Sequence, residues 1–256
     1  MSWNSDVGFE VREVGESRKA LREAVELSVQ ALRMNFLPGL VLQGLMVVFF
    51  CAYLWHEGTQ EFLRMVSEWK RQAGVLFAFC AYFFSGGVLP EVLRWALFQK
   101  FRLEVGNIQR VGIAGFFWGG MGVVVDFLYR FQMMLFGSGN DFWTVAKKVA
   151  FDQFVFSPFV GLPLVMVYFH FWERGRRWSA VLEVFRFDFL LRRALPVMVA
   201  SWFVWIPAVT LVYNMPNLLQ IPIAVTIHAF WVLVFTTITE VSKRRAGSDG
   251  GGRKEG

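Results

Sequence analysis

With 256 residues, 55% of them apolar and only 18% charged, the sequence is too oily for an ordinary soluble domain. Its formal charge of +6 sits on Lys and Arg between apolar blocks, so it is read as membrane topology, and nucleic acid is excluded as a partner. Cys51 and Cys80 lie inside apolar blocks and no Cys/His ligand spacing occurs, so neither a disulfide framework nor a metal or cofactor site is expected.

The first 16 residues read as irregular. Asp6, Glu10, Glu13 and Glu16 come too early for a signal peptide or a mitochondrial presequence. Residues 17–33 predict an amphipathic helix, with Leu21, Ala24, Val25, Ala31 and Leu32 towards one side, lying on the membrane surface or against a bundle. Six apolar blocks follow, at 36–55, 73–98, 111–135, 151–172, 194–213 and 218–239. Each is about the length a helix needs to cross a bilayer core. They are apolar on every face, whereas the strands of a membrane barrel alternate. The 29 Phe and 11 Trp suit a surface that meets lipid. The fold class is therefore all-α, a polytopic transmembrane bundle of about six spans preceded by an amphipathic N-terminal helix. Four segments are expected: an interfacial segment at 1–35, an additional span and loop at 36–72, the main bundle at 73–240, and a disordered basic, Gly-rich tail at 241–256.

Twenty of the 26 Lys and Arg fall on the two ends and on the second and fourth connections, and six on the other three connections. That bias predicts six spans with both termini cytoplasmic. A bacterial inner membrane is expected, with an organelle membrane as the alternative.

The third block carries a helical face of small residues, Gly112, Gly115, Gly119 and Gly122, leading to Asp126 and then Arg130. Small residues at this spacing make either a helix-packing seam or the wall of a groove. Asp126 and Arg130, four apart, can pair, and Arg130 is expected also to reach Asp152, where Asp152 and Gln153 open the next block from the same side. An unpaired charge in lipid costs about 3 kcal/mol on insertion scales, so this group is either a structural clamp or a pore or gate. Gln153, Ser157 and Gly161, at steps of four, predict a further contact face. Glu91 and Arg94 form a second candidate pair near the other side of the membrane, and His228 reads as a hydrogen-bonded core residue.

No phosphate loop, nucleophile elbow, zinc-protease or dinucleotide motif occurs, and no enzyme is expected. The chain does resemble a known family. The run from Lys147-Lys148 through Asp152-Gln153 to Pro158 is similar to the Lys, Asp-Gln and Pro pattern of the peroxisomal twenty-two-kilodalton membrane protein and Mpv-seventeen family. Arg110 before the glycine helix, Tyr129-Arg130, Leu195-Pro196, Phe203, Ile206-Pro207 and Trp231 extend the resemblance over about residues 73–240. Val199, Trp202 and Leu211 stand where the family has Gln, Asn and Arg, and Asp126 falls near its His. The resemblance implies an integral membrane protein, since some members form channels linked to metabolite homeostasis. The sequence thus suggests a permeation pathway for small polar solutes. The alternatives are a non-transporting scaffold and, more weakly, an intramembrane enzyme. The partners expected are the lipid bilayer and further copies of the chain.

Overall fold

The computed structural model describes the backbone of residues 3–251, with side chains over 22–241 apart from Ala180, Phe187, Leu191 and Thr239. It is all-helical, and there is no strand among the described residues. Six helices are long and apolar enough to cross a membrane: Arg22–Trp55, Val75–Phe98, Val105–Phe136, Phe142–Glu173, Arg192–Tyr213 and Asn217–Ile238.

We label the helices α1 (Trp3–Trp55), α2 (Glu57–Ala73), α3 (Val75–Phe98), α4 (Val105–Phe136), α5 (Phe142–Glu173), α6 (Trp178–Glu183), α7 (Leu195–Tyr213) and α8 (Asn217–Gly251). Three expectations are corrected here. The segment 17–33 is helical, as expected, but not a separate surface helix, because α1 carries it through Pro38 into the first span; its Ala, Leu, Arg and Glu residues favour helix. The expected tail likewise starts inside a helix, since α8 continues through Lys243, Arg244 and Arg245 to Gly251. Finally, Asp152 does not open a helix: α5 begins at Phe142, capped by Asp141, whose Oδ1 accepts from the backbone N–H groups of Trp143 and Thr144 at 3.2 and 3.1 Å. The Thr144 side-chain hydroxyl first, and then these backbone bonds, hold the Asp141 carboxyl below its ordinary pKa.

Prolines shape three of the spans. A proline within a helix has no N–H to donate and its ring crowds the carbonyl four residues back. Wider π turns stand beside these prolines: Phe84–Val88 just before Pro90, Asp152–Gly161 around Pro158 and before Pro163, and Leu190–Ala194 just before Pro196. In each the backbone bonds reach five residues, as from Leu89 N–H to Phe84 O.

The chain divides into two compact units, one of Met1–Gly39 with Ala150–Ile206, the other of Leu40–Val149 with Pro207–Gly256. In the first, Phe36 stacks on Phe203 with ring centroids 5.4 Å apart, and Gly39 lets the same ring and Val204 lie close. Trp202 donates its indole N–H to Gln153 O at 3.0 Å and packs edge-on to Phe154, tying α7 to α5. In the second, α3 and α4 run side by side in opposite directions, so that residue 78 meets 122, residue 87 meets 115 and residue 91 meets 110. α8 packs on both α2 and α3, burying Ile221, Ile223 and Ile227.

α2 is the element the hydropathy profile hides. Its charge bars it from crossing a membrane, yet it is a regular 17-residue helix. His56 caps its start by accepting from Thr59 N–H at 3.1 Å, and Gly74, at φ +57°, ends it and turns the chain into α3.

Candidate functional site

In the second unit, Asp126 lies two-thirds of the way along α4, 2% exposed. The helix continues the glycine face, and the antiparallel α3 brings the C-terminal end of α2 against that face. Lys70 of α2 donates to Asp126 Oδ1 at 2.5 Å and to Gly74 O at 2.9 Å. Arg130 stands 2.9 Å from Asp126 Oδ2 as an ion pair, close but not aligned as a hydrogen bond. The Lys70 side chain is 8% exposed and that of Arg130 is 50% exposed. One buried carboxylate is therefore shared by a buried ammonium from a helix outside the spans and a half-exposed guanidinium from its own helix. Lys70 is the residue that sequence reasoning missed.

The glycine face resolves as a seam rather than a groove. A Cβ on Gly115 would lie 2.6 Å from the Phe83 ring, one on Gly119 2.8 Å from Phe79, and one on Gly122 2.6 Å from Ala78 O. Gly87 of α3 is seated directly on Gly115, its Cβ position 2.5 Å from that Cα. The aromatic rings of α3 fill the space between the backbones. Gly112 is an exception: nothing lies within 4 Å of its Cβ position, so it is not a packing residue of this seam.

Towards the opposite end of α4, Glu91 is 5% exposed and takes far more than the partner three residues on. Arg94 pairs with it, Arg110 Nε reaches both its oxygens at 3.1 and 3.0 Å, and Asn107 donates to it at 3.0 Å. Arg94 also holds Glu240 of α8 at 3.2 Å. Asn107 does double duty, because its Oδ1 accepts from Glu104 N–H in the cap of α4. The cluster ties three helices at one level, as a clamp does.

Between these two charged levels lies His228 of α8, 3% exposed. Its Nδ1 shares a hydrogen bond of 3.0 Å with Ser85 in the π turn, and the ring is flanked by Tyr82 and Trp118 at 5.1 and 4.5 Å. Its Nε2 has no hydrogen-bond partner among the described residues. Ser85→Ala should lower stability by about 1–3 kcal/mol by leaving Nδ1 unpaired as well. Ser85→Thr, which keeps a hydroxyl, should lose less, and thermal unfolding in detergent compares the two.

In the first unit, Asp152 and Gln153 are both buried and joined, Gln153 Nε2 donating to Asp152 Oδ1 at 3.0 Å, with Ser157 Oγ at 3.4 Å. The expected reach of Arg130 to Asp152 would run from one unit to the other and stays an expectation. Of the predicted contact face at Gln153, Ser157 and Gly161, Gln153 is 2% exposed and its carbonyl meets Trp202 of α7, whereas among the described residues a Cβ on Gly161 would meet only Phe156 of its own helix, at 3.6 Å. The π stretch is the reason, since its wider turns break the register that steps of four need. His170 is 4% exposed and pairs with Glu183 of the α6 segment at 2.9 Å. That bond is the largest influence holding the Glu183 carboxyl below its ordinary pKa.

Among the described residues no group of three His, Cys, Asp or Glu side chains could hold a metal. Six membrane-length helices, with Asp126 and Glu91 of α4 and α3 held in buried ion pairs, define a multi-pass integral membrane protein built as a helical bundle. No family model, curated protein or solved structure matches the chain.

Proposed function

We propose that the protein is a permeation pathway for small polar solutes, closed in this arrangement by the ion cluster at Asp126. The observation that carries this reading is the shared carboxylate. Ionised groups within spans are costly and commonly mark solute routes. Here the group is held by Lys70 of a peripheral helix, a contact that can open without unpacking a span. Near the start of α2 there is also a cleft of about 350 Å³, lined by Tyr53, Leu54, Gln60, Arg64, Pro216 and Leu219. Asp152 and Gln153 are assigned to the same pathway within their own unit. The resemblance to the peroxisomal twenty-two-kilodalton and Mpv-seventeen family supports the reading, with this chain a divergent relative. The charge bias supports cytoplasmic termini and a bacterial inner membrane, and the absence of any catalytic motif supports a protein that is not an enzyme.

A second reading, a non-transporting scaffold, is favoured by the filled glycine seam. Solute flux into proteoliposomes separates the two. If the Lys70–Asp126 contact favours the closed state by about 1.4 kcal/mol, Asp126→Asn raises the open population, and with it flux, about tenfold. Flux equal to that of empty liposomes for both the unmodified protein and Asp126→Asn would leave the scaffold. If Asp152→Asn lowers stability with flux unchanged, Asp152 is a clamp and no part of the gate.

A further inference from the structure

α2 has three distinct edges. Leu63 and Lys70, 2% and 7% exposed, face the bundle. About a quarter turn to one side lie Arg64 and Arg71, and beyond them Glu57, Glu61 and Glu68. On the other side Phe62, Met65 and Trp69 form a stripe at steps of three and four, 56%, 43% and 51% exposed. Glu68 is bonded to Arg71 at 2.7 and 2.8 Å and to Gln72 at 2.7 Å, which holds its carboxyl down to about 2, so Glu68 stays ionised at neutral pH.

The position of α2 in the chain limits where it can lie. It starts directly after the span ending at Trp55 and ends directly before the span starting at Val75. Both its ends are therefore fixed at one surface of the membrane, and a 17-residue helix covers about 26 Å between them. The adjoining ends of those spans are also apolar and exposed, at Leu54 and Trp55 before α2 and at Leu76 after it. Its three acidic residues match Arg64, Lys70 and Arg71, so the helix carries no net charge that would seek anionic lipid.

We infer that α2 is an in-plane helix of the bilayer interface, its Phe62–Met65–Trp69 stripe seated at the boundary of headgroups and acyl chains, and that this seating keeps Lys70 on Asp126. The occupant of the stripe is lipid, its charged edge faces water, and its third edge is bonded to the bundle. The inference depends on the chain crossing the membrane and not on whether anything permeates.

The test uses the full chain in phosphatidylcholine liposomes, in a Cys51→Ser, Cys80→Ser background. Single cysteines replace Glu61, Met65, Glu68 and Trp69, each carrying an environment-sensitive fluorophore. Labels at 65 and 69 should be quenched by lipids brominated near the headgroup, and about threefold less by aqueous iodide than labels at 61 and 68. Adding anionic lipid should change neither pattern. Equal iodide quenching at all four positions would overturn the inference by placing α2 in water. Protection from iodide at 65 and 69 without lipid quenching would overturn it in favour of a second copy of the chain on the stripe. The link to Asp126 is read separately, by the yield of a short bismaleimide cross-link between cysteines replacing Lys70 and Asp126, since a lysine reaches further than a disulfide spans. Met65→Glu with Trp69→Glu should cut that yield several-fold, while Glu61→Gln with Glu68→Gln leaves it intact. An unchanged yield in the first pair, or an equal fall in both, would overturn the link.

Discussion

Asp126→Asn should destabilise the folded protein by about 3–5 kcal/mol, the cost of stranding a charge that its partner no longer balances. The stranded group is Lys70. Without the carboxylate its ammonium keeps only neutral acceptors, Gly74 O at 2.9 Å and the new amide oxygen, while its side chain remains 8% exposed. Arg130 suffers less, because half of its side chain is already exposed; Arg130→Gln should cost about 1 kcal/mol or less. The diagnostic variant is the double one. Lys70→Met with Asp126→Asn removes both members of the buried pair, and such replacement is often close to neutral, so most of the loss should return. Unfolding in detergent of the unmodified protein, Lys70→Met, Asp126→Asn and the double variant completes a double-mutant cycle. Equal losses for Asp126→Asn and Arg130→Gln, or simple additivity of the Lys70 and Asp126 changes, would mean the pair is not buried as described.

Gly87→Ala should be among the most damaging of the glycine substitutions. The added methyl would meet Gly115 Cα at 2.5 Å and Gly115 N at 2.7 Å, with Val111 O at 3.0 Å. These are backbone atoms, which move only if α3 and α4 separate. Overpacking of this kind costs about 1–3 kcal/mol or more. Gly112 and Gly120, also in α4, have nothing within 4 Å, so alanine there should be neutral or should gain up to about 1 kcal/mol of helix propensity. The midpoint of denaturation by detergent ranks these variants. Similar losses at Gly87 and Gly112 would contradict the seam.

What the sequence makes legible is set by distance along the chain. The six spans are read from hydropathy alone, because crossing a bilayer demands a length of apolar chain that little else requires. Asp126 with Arg130 and Glu91 with Arg94 are legible because residues three or four apart share a helix face. Lys70 is not, since 56 residues separate it from Asp126 and only the packing of α2 brings them together. Arg110 and Asn107 are hidden for the same reason: their approach to Glu91 depends on the antiparallel register of α3 and α4. The glycine face announces its direction but not its neighbour, and whether Phe79, Phe83 or water fills it is decided by another helix. α2 is legible in principle, from the separation of Phe62, Met65 and Trp69 from Glu61, Arg64 and Glu68, but its charge makes it read as a connection. The π stretch defeats periodicity outright, because a reading in steps of four presumes the α-helical turn that the prolines remove.

The account stands on α3 and α4 each crossing the bilayer, so that the Asp126 and Glu91 levels lie towards opposite faces. Labelling of single cysteines with a membrane-impermeant maleimide tests this directly, in sealed vesicles of one orientation. Cysteines replacing Gly58 and Ser138 should react from one side, and a cysteine replacing Lys100 only from the other. Reaction of Ser138→Cys and Lys100→Cys from the same side would contradict it.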